Sequence, residues 1–137
     1  MGKKKILIID DDEDLLEELQ ETLNISGYKT IAIKDSTCAF DTAYKFRPDL
    51  ILLDLKMNDM NGFQVATSLK RFPSTTHIPI IAMTGFFNKK HHFKLMDLCG
   101  MNMCLEKPFN PPDLIVLIKE IFKEGGKYPK NDGDTQP

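Results

Sequence analysis

Runs of apolar residues alternate along the chain with stretches in which apolar residues recur at helical spacing. Five runs predict strands, at residues 6–9, 28–33, 50–53, 78–83 and 101–105. The run at 50–53 is Leu-Ile-Leu-Leu without interruption, which is typical of a strand covered on both faces in a parallel sheet. Helical spacing follows each run and predicts helices over 12–26, 36–46, 62–72, 88–99 and 110–122.

Capping and stop signals set several of these helix boundaries. Asp12 is a candidate N-cap for the first helix, and Gly27 is a typical C-terminal stop. Gly100 ends the fourth helix in the same way. Asn110 followed by Pro111 is a strong start for the last helix, because proline suits the first helical turn.

Five strands that alternate with five helices predict an α/β protein with a doubly wound parallel sheet. The length of 137 residues fits one domain with a hydrophobic core of its own. Residues 125–137 are polar and contain little that can pack, so we expect a flexible tail there.

The composition argues against several classes of protein. With 42% apolar residues, 28% charged residues and a formal net charge of −2, the chain gives no reason to expect nucleic acid or an anionic membrane as a partner. Its three cysteines are too few and too irregularly spaced for a disulfide framework or a close pair of metal ligands. No apolar run approaches the ~20 residues of a membrane span. We therefore expect a cytoplasmic protein that binds neither nucleic acid nor membrane directly.

Functional side chains follow four of the predicted strands near the point where each strand ends. Asp10 and Asp11 follow the first strand, Asp54 the third, Thr84 the fourth and Lys107 the fifth. If the strand order is 2-1-3-4-5, the first and third strands are neighbours and the switch point lies between them. Three carboxylates then converge in one crevice, with a hydroxyl and an ammonium to one side. The ordinary alternative for Asp54 is a solvated strand terminator, a common role for aspartate.

Three carboxylates within a few ångströms cannot all stay ionised unless a cation lies among them or their pKa values rise. A divalent metal is the simplest cation, and carboxylate oxygens with room for water favour Mg²⁺ over Zn²⁺. Mg²⁺ beside Lys107 and Thr84 would make a site for a phosphoryl group. A carboxylate beside the metal can act as a nucleophile, and Asp54 is best placed to form an aspartyl phosphate.

Four short motifs carry a resemblance to a known family. They are Ile8-Ile9-Asp10-Asp11, Leu52-Leu53-Asp54-Leu55-Lys56-Met57, Thr84-Gly85 and Lys107-Pro108-Phe109. Each motif alone is weakly specific, but all four occur in order at the ends of the right strands. Over residues 4–124 the chain resembles the receiver domain of two-component response regulators. The resemblance implies a flavodoxin-like fold with strand order 2-1-3-4-5 and five helices.

The resemblance also implies a role for each site residue. Asp54 would accept a phosphoryl group from the phosphohistidine of a histidine kinase, in a Mg²⁺-dependent reaction. Thr84 and Lys107 would contact the phosphoryl oxygens and complete the catalytic set. The peptide bond between Lys107 and Pro108 is expected to be cis. The metal ligands would be Asp11, Asp54 and the backbone carbonyl of Lys56, with Asp10 acting largely through water.

The same resemblance implies the partners of the protein. Upstream we expect a sensor histidine kinase or a phosphotransfer protein, and downstream a protein target whose contacts change on phosphorylation. A weak homodimer through the fourth helix, the fifth strand and the fifth helix is a further expectation. Such a protein catalyses its own phosphotransfer and autodephosphorylation, but it acts mainly as a signalling module.

The chain departs from the family pattern at two positions. Asn58 stands where the family often has proline, so the loop after the third strand should be less rigid. Cys104 stands where the switch residue on the fifth strand is usually Tyr, Phe or His. In the usual switch Thr84 moves toward the phosphoryl group and the aromatic ring fills the vacated space, which a cysteine cannot do. We expect either an altered switch in which Met101 or Met103 repacks, or a small core residue at Cys104.

Three other functions are weighed against this one. A flavin-phosphate binder on the same fold would need a Ser/Thr/Gly-rich loop after the first strand, whereas residues 10–14 are five acids. A phosphohydrolase of the dehalogenase type would need a second acid two residues after the nucleophile, where this chain has Lys56. A pseudo-receiver, acting as a phosphorylation-independent interaction module, is the main alternative, and the full set of site residues argues against it.

Overall fold

A five-stranded parallel sheet forms the centre of the protein. The computed structural model describes residues 2–56, 61–85, 97, 100–101 and 103–123. The strands are β1 (Lys5–Ile9), β2 (Lys29–Ile33), β3 (Leu50–Asp54), β4 (Ile80–Thr84) and β5 (Met103–Glu106). Their order is β2-β1-β3-β4-β5, and every neighbouring pair is parallel. The predicted fold class and strand order are therefore confirmed.

Helices cover both faces of this sheet. Within the described residues they are α1 (Glu13–Ile25), α2 (Ala39–Phe46), α3 (Gly62–Arg71) and α4 (Pro111–Lys123), with a short 3-10 helix at Ser36–Cys38 before α2. The helix predicted over 88–99 lies almost entirely outside the described residues, and so does the tail predicted over 125–137. The described helix bounds agree with the predicted ones to within about three residues. None of the described helices has the length and apolar character needed to cross a membrane.

Strands β4 and β5 lie later in the sequence than predicted, and β3 ends one residue later than predicted. β4 begins at Ile80 rather than residue 78, and it includes Thr84 as its last residue. Pro79 cannot donate to a neighbouring strand, although its carbonyl accepts from Ile51 N–H at 3.0 Å. β3 likewise continues through Asp54, which pairs with Met83. The polar residues at the sheet edge are therefore held by the ladder itself.

Alternation along the strands divides the core into two layers. Leu7 and Ile9 of β1 face one layer, which α2 and α3 cover, and Ile6 and Ile8 face the other, which α1 and α4 cover. All residues from Leu50 to Leu53 are fully buried, as the continuous apolar run predicted. A sheet packed on both faces leaves only its edges and strand ends for function.

Local signals fix the helix ends. The Asp12 side chain accepts hydrogen bonds from the N–H groups of Asp14 and Leu15, so it is the N-cap of α1 as predicted. Gly27 adopts φ +100° just after α1, a conformation that favours glycine. Asn61 and Gln64 form a reciprocal capping box at the start of α3. The capping box therefore stabilises the first turn of α3, directly after the loop that follows β3.

Candidate functional site

Three carboxylates meet at the carboxyl ends of β1 and β3. Asp10 and Asp11 follow β1, Asp54 ends β3, and the two strands are hydrogen-bonded neighbours. Carboxylate oxygens of all three residues lie within 4.8 Å of one another. Asp10 is fully buried and Asp54 is 4% exposed, whereas Asp11 is exposed. The site therefore has two acids set into the sheet edge and a third at its mouth.

Lys107 supplies the positive charge of this site. Its Nζ donates to Asp10 Oδ2 at 2.7 Å and lies 3.6 Å from Asp54 Oδ1. The second Asp10 oxygen, Oδ1, accepts from the Asp12 N–H at 2.9 Å. Each oxygen of the buried Asp10 carboxylate thus has a donor, as a buried charge requires.

The environment of Asp54 disfavours its charged form. Burial, followed by the charge of Asp10, raises the pKa of Asp54 to about 6. Lys107 and the hydrogen bond from Lys56 N–H to Asp54 Oδ1, at 3.2 Å, oppose this rise only in part. A cation bound nearby, or conversion of the carboxylate to a neutral group, would remove this destabilisation.

The position of Lys107 is fixed by its backbone as well as by its charge. Lys107 N–H donates to the Thr84 carbonyl at 2.7 Å, which ties the residue to the end of β4. The bond between Lys107 and Pro108 is cis, which confirms that expectation. Burial lowers the pKa of Lys107, but its hydrogen bond to Asp10 and the charges of Asp10 and Asp54 outweigh this and raise it. The amine is therefore charged at neutral pH.

Thr84 and Lys56 complete the set of candidate residues. Thr84 is 4% exposed and is the last residue of β4, the strand beside β3. Lys56 follows β3 with an exposed side chain, and its backbone N–H contacts Asp54 as described above. The structure thus brings both residues to the edge that carries the three acids. Asn58 lies outside the described residues.

Cys104 lies on β5 beside Ala82 of β4, and its half-buried side chain packs against the layer under α2 and α3. Burial, and then the charge of Glu106, raises the pKa of Cys104 to about 11, so the thiol is neutral at physiological pH. Met101 is buried in the same layer, whereas Met103 packs against the opposite one. Of the two methionines expected to repack, only Met101 shares a layer with Cys104.

The three carboxylates fit a hard divalent cation. They offer oxygen ligands from two neighbouring strands, close enough together to bind one ion. Among the residues that the structure describes, one ammonium contacts this cluster, at Asp10 and Asp54, so net negative charge remains for a divalent cation to offset. The donor set therefore suits Mg²⁺, as the sequence predicted, and the soft ligands typical of structural zinc sites do not occur in this cluster.

Sequence reasoning missed one contact at the site. Gly62 was predicted only as a helix start, yet its Cα lies directly against the Asp54–Leu55 backbone. The only signal in the sequence was a glycine at the point where helical spacing begins, after an Asn-rich loop. Such a pattern predicts a turn and gives no information on long-range packing.

Comparison with known proteins assigns the chain to a family. The model of the response regulator receiver domain matches residues 6–119, and the chain belongs to this family. It is 33% identical over 119 residues to the polar-differentiation response regulator DivK of Brucella anthropi, covering 87% of this chain and 96% of that protein.

Solved structures agree with this assignment. The chemotaxis protein CheY4 of Vibrio cholerae superposes with a TM-score of 0.83 at 26% identity, covering 88% of this chain and 99% of that one. A two-component response regulator from Clostridium difficile also gives a TM-score of 0.83, at 25% identity, covering 91% of this chain and 100% of that one. The protein is therefore a receiver domain of the response regulator type, in both fold and sequence.

Proposed function

We propose that the protein is a phosphorylation-dependent signalling receiver whose phosphoacceptor is Asp54. The observation that supports this most directly is the environment of Asp54, a buried carboxylate between two other acids and the Lys107 ammonium. The phosphoryl donor would be the phosphohistidine of a sensor histidine kinase or of a phosphotransfer protein. Phosphorylation would then change contacts with a downstream protein target.

The proposed reaction is a transfer of one phosphoryl group. An Asp54 carboxylate oxygen forms a bond to phosphorus while the bond from phosphorus to the histidine nitrogen breaks. The electron pair of the broken bond stays on that nitrogen, and the imidazole, which carries a proton on its other ring nitrogen, leaves as a neutral group. Lys107 contributes a fixed positive charge for the phosphoryl oxygens, and Thr84 a hydroxyl at the neighbouring strand end. Hydrolysis of the aspartyl phosphate at the same site would reset the protein.

A Mg²⁺ ion would be held by Asp11, Asp54 and the backbone carbonyl of Lys56, with Asp10 acting largely through water. Bound there, it would neutralise the carboxylates and the phosphoryl oxygens. The protein's own part is to hold the buried Asp10 and Asp54 at the carboxyl ends of two hydrogen-bonded strands, with their oxygens within 4.8 Å of each other. When the metal is absent, the Lys107 ammonium reduces the repulsion between Asp10 and Asp54.

The conformational response is proposed to run through Thr84 and Cys104. Because Cys104 is small and its neutral thiol packs within the core, movement of Thr84 cannot be followed by an aromatic ring at this position. Rearrangement of the buried Met101 in the same layer is the proposed substitute.

Three further proposals concern the domain boundaries, the cellular location and the oligomeric state. They comprise a receiver unit at 4–124 with a polar tail at 125–137, action in the cytoplasm without nucleic acid, and weak self-association through the predicted fourth helix, β5 and α4.

Incubation with acetyl phosphate and Mg²⁺, followed by intact mass measurement, tests the proposal. We expect the wild type to gain one phosphoryl group, and Asp54→Asn or the wild type in excess chelator to gain none. Asp41→Asn, which changes an exposed acid on α2, is the matched control and should behave as the wild type. A wild type that binds Mg²⁺ but gains no phosphoryl group would favour the pseudo-receiver alternative.

A further inference from the structure

The first residue of α3 lies in direct contact with the backbone that carries the proposed phosphoacceptor. A Cβ atom on Gly62 would lie 2.4 Å from the Asp54 carbonyl oxygen and 2.6 Å from the Leu55 Cα. Ordinary contacts of such an atom begin at 3.4 Å, so the shortfall to the carbonyl is 3.4 − 2.4 = 1.0 Å. Both obstructing atoms belong to the main chain, so no side-chain rotation can make room.

The helix side of this contact is firmly held. The Asn61 side chain accepts from Gln64 N–H at 2.9 Å, and Gln64 Oε1 accepts from Asn61 N–H at 3.0 Å. Further along α3, Val65, Ala66 and Leu69 are buried in the layer under this helix. The cap keeps the first turn of α3 helical, and moving α3 outward would take these buried side chains out of the core.

The strand side of this contact is the backbone at the end of β3 and just after it. Leu55 N–H donates to the Met83 carbonyl at 2.9 Å, one residue beyond the end of β3. Lys56 N–H, the next along the chain, is hydrogen-bonded to the Asp54 carboxylate. Gly62 N–H in turn donates to the Leu55 carbonyl at 3.1 Å. A side chain at position 62 would thus displace the segment from Asp54 to Lys56 more readily than it would displace the helix.

We propose that Gly62 is a positioning residue for phosphotransfer, because its bare backbone lets α3 pack against the Asp54–Leu55 peptide and so fixes Asp54 and Lys56 at the site. The inference rests on the proposed function, since it concerns the same phosphoacceptor. It adds a residue of α3 that determines the position of Asp54 and Lys56, although this helix contributes no proposed metal ligand or phosphoryl contact.

Gly62→Ala should impair the site beyond any loss of stability. A displacement of about an ångström at a reacting group can cost on the order of 100-fold in rate. Changes behind metal ligands typically weaken metal binding by roughly 10- to 100-fold. We expect shifts of this order in the phosphorylation rate at saturating Mg²⁺ and in the Mg²⁺ concentration for half-saturation.

The matched control is Ala66→Gly, one helical turn further along α3. It weakens the same helix by removing a buried methyl group, and it adds no atom near Asp54. Both variants and the wild type would be titrated with Mg²⁺ by 1H–15N NMR, observing the Leu55 and Lys56 amides, and then phosphorylated with acetyl phosphate. All comparisons are made at temperatures where unfolding curves show the proteins fully folded.

The proposal predicts displaced Leu55 and Lys56 amides and weak Mg²⁺ binding in Gly62→Ala but not in Ala66→Gly. A folded Gly62→Ala that matches Ala66→Gly in both measurements overturns it. If the wild type takes up no phosphoryl group, the proposed function is wrong. The amide shifts and the Mg²⁺ titration do not depend on phosphorylation, so they still test the positioning role of Gly62.

If Gly62→Ala does not fold, two variants of the helix cap decide the question. Asn61→Ala removes the cap and loosens the start of α3, whereas Asn61→Asp keeps a capping carboxylate. Weaker Mg²⁺ binding in Asn61→Ala than in Asn61→Asp supports the positioning role. Equal binding, with unchanged Leu55 and Lys56 amides, overturns it.

Discussion

Lys107 donates its side-chain hydrogen bond to Asp10 rather than to Asp54, the proposed phosphoacceptor. Its Nζ lies 2.7 Å from Asp10 Oδ2 but 3.6 Å from Asp54 Oδ1, so its hydrogen bond goes to the fully buried acid. Burial and the charge of Asp10 outweigh the nearby lysine, so the pKa of Asp54 stays raised. The arrangement stabilises the acidic cluster while leaving Asp54 without a hydrogen bond from this ammonium.

Replacing Lys107 should destabilise the metal-free protein at neutral pH. Lys107→Met leaves Asp10 buried without its cation, and removing one partner of a buried pair typically costs about 3–5 kcal/mol. Urea unfolding at pH 7 in chelator measures this loss. Lys45→Met, which breaks the exposed pair with Asp41, is the control and should cost at most about 1 kcal/mol. Equal effects of the two substitutions would argue against the role of Lys107.

The same substitution should strengthen Mg²⁺ binding while it slows phosphorylation. Lys107 is a cation in contact with two of the three carboxylates, so it competes electrostatically with a divalent ion. Calorimetric titration of Lys107→Met should give a lower dissociation constant than the wild type. Weaker binding would show that Lys107 holds the carboxylates in place more than it repels the metal.

Asp54→Asn should stabilise the metal-free protein at neutral pH. The folded pKa of Asp54, about 6, lies above the value of ~3.9 expected in the unfolded chain. The folded state therefore binds the proton more tightly, and the stability from Asp54 is complete below about pH 4 and lost as the pH rises through about 6. Asparagine does not titrate and avoids this loss.

Thermal unfolding in chelator between about pH 4 and pH 8 measures the effect. The melting temperature of Asp54→Asn should exceed that of the wild type at pH 7, and the difference should shrink as the pH falls toward 4. Asp41→Asn, at an exposed position, should show no such trend. A difference that does not vary with pH would contradict the raised pKa.

Cys104 should resist alkylation in the folded protein. Its thiol is half-buried, and its raised pKa leaves little thiolate at neutral pH, whereas Cys38 is exposed. Limited treatment with iodoacetamide followed by peptide mapping should label Cys38 well before Cys104. The order should be lost in urea, where both thiols are accessible. Rapid labelling of Cys104 without denaturant would contradict its place in the core.

The sequence was sufficient for the fold because its strongest signals are local. The continuous run Leu50–Leu53 can only be satisfied by burial on both faces, and this requires helices on both sides of the sheet. The parallel direction of the strands then brings Asp10, Asp54 and Thr84 to one edge. The common edge follows from the apolar period and the parallel direction, whereas the strand order that makes β1 and β3 neighbours was implied by the family resemblance.

Features that depend on distances between elements could not be read from the sequence. Nothing in the order of residues shows that Lys107 bonds to Asp10 rather than Asp54, because both acids end neighbouring strands. A strand over 101–105 would place Met101 and Met103 on one face of the sheet, opposite Cys104. The strand begins only at Met103, and Met101, which precedes it, is buried in the layer that contains Cys104. The contact of Gly62 with Asp54 arises from the way α3 packs across the end of β3.

The most direct test of the central claim is to locate the phosphoryl group. After phosphorylation, reduction with borohydride converts an aspartyl phosphate to homoserine, which peptide mass spectrometry assigns to one residue. We predict homoserine at position 54 alone, formed only when Mg²⁺ is present. Homoserine at an exposed acid such as Asp41, or none at any position in a folded protein saturated with Mg²⁺, would contradict the assignment of Asp54 as the phosphoacceptor.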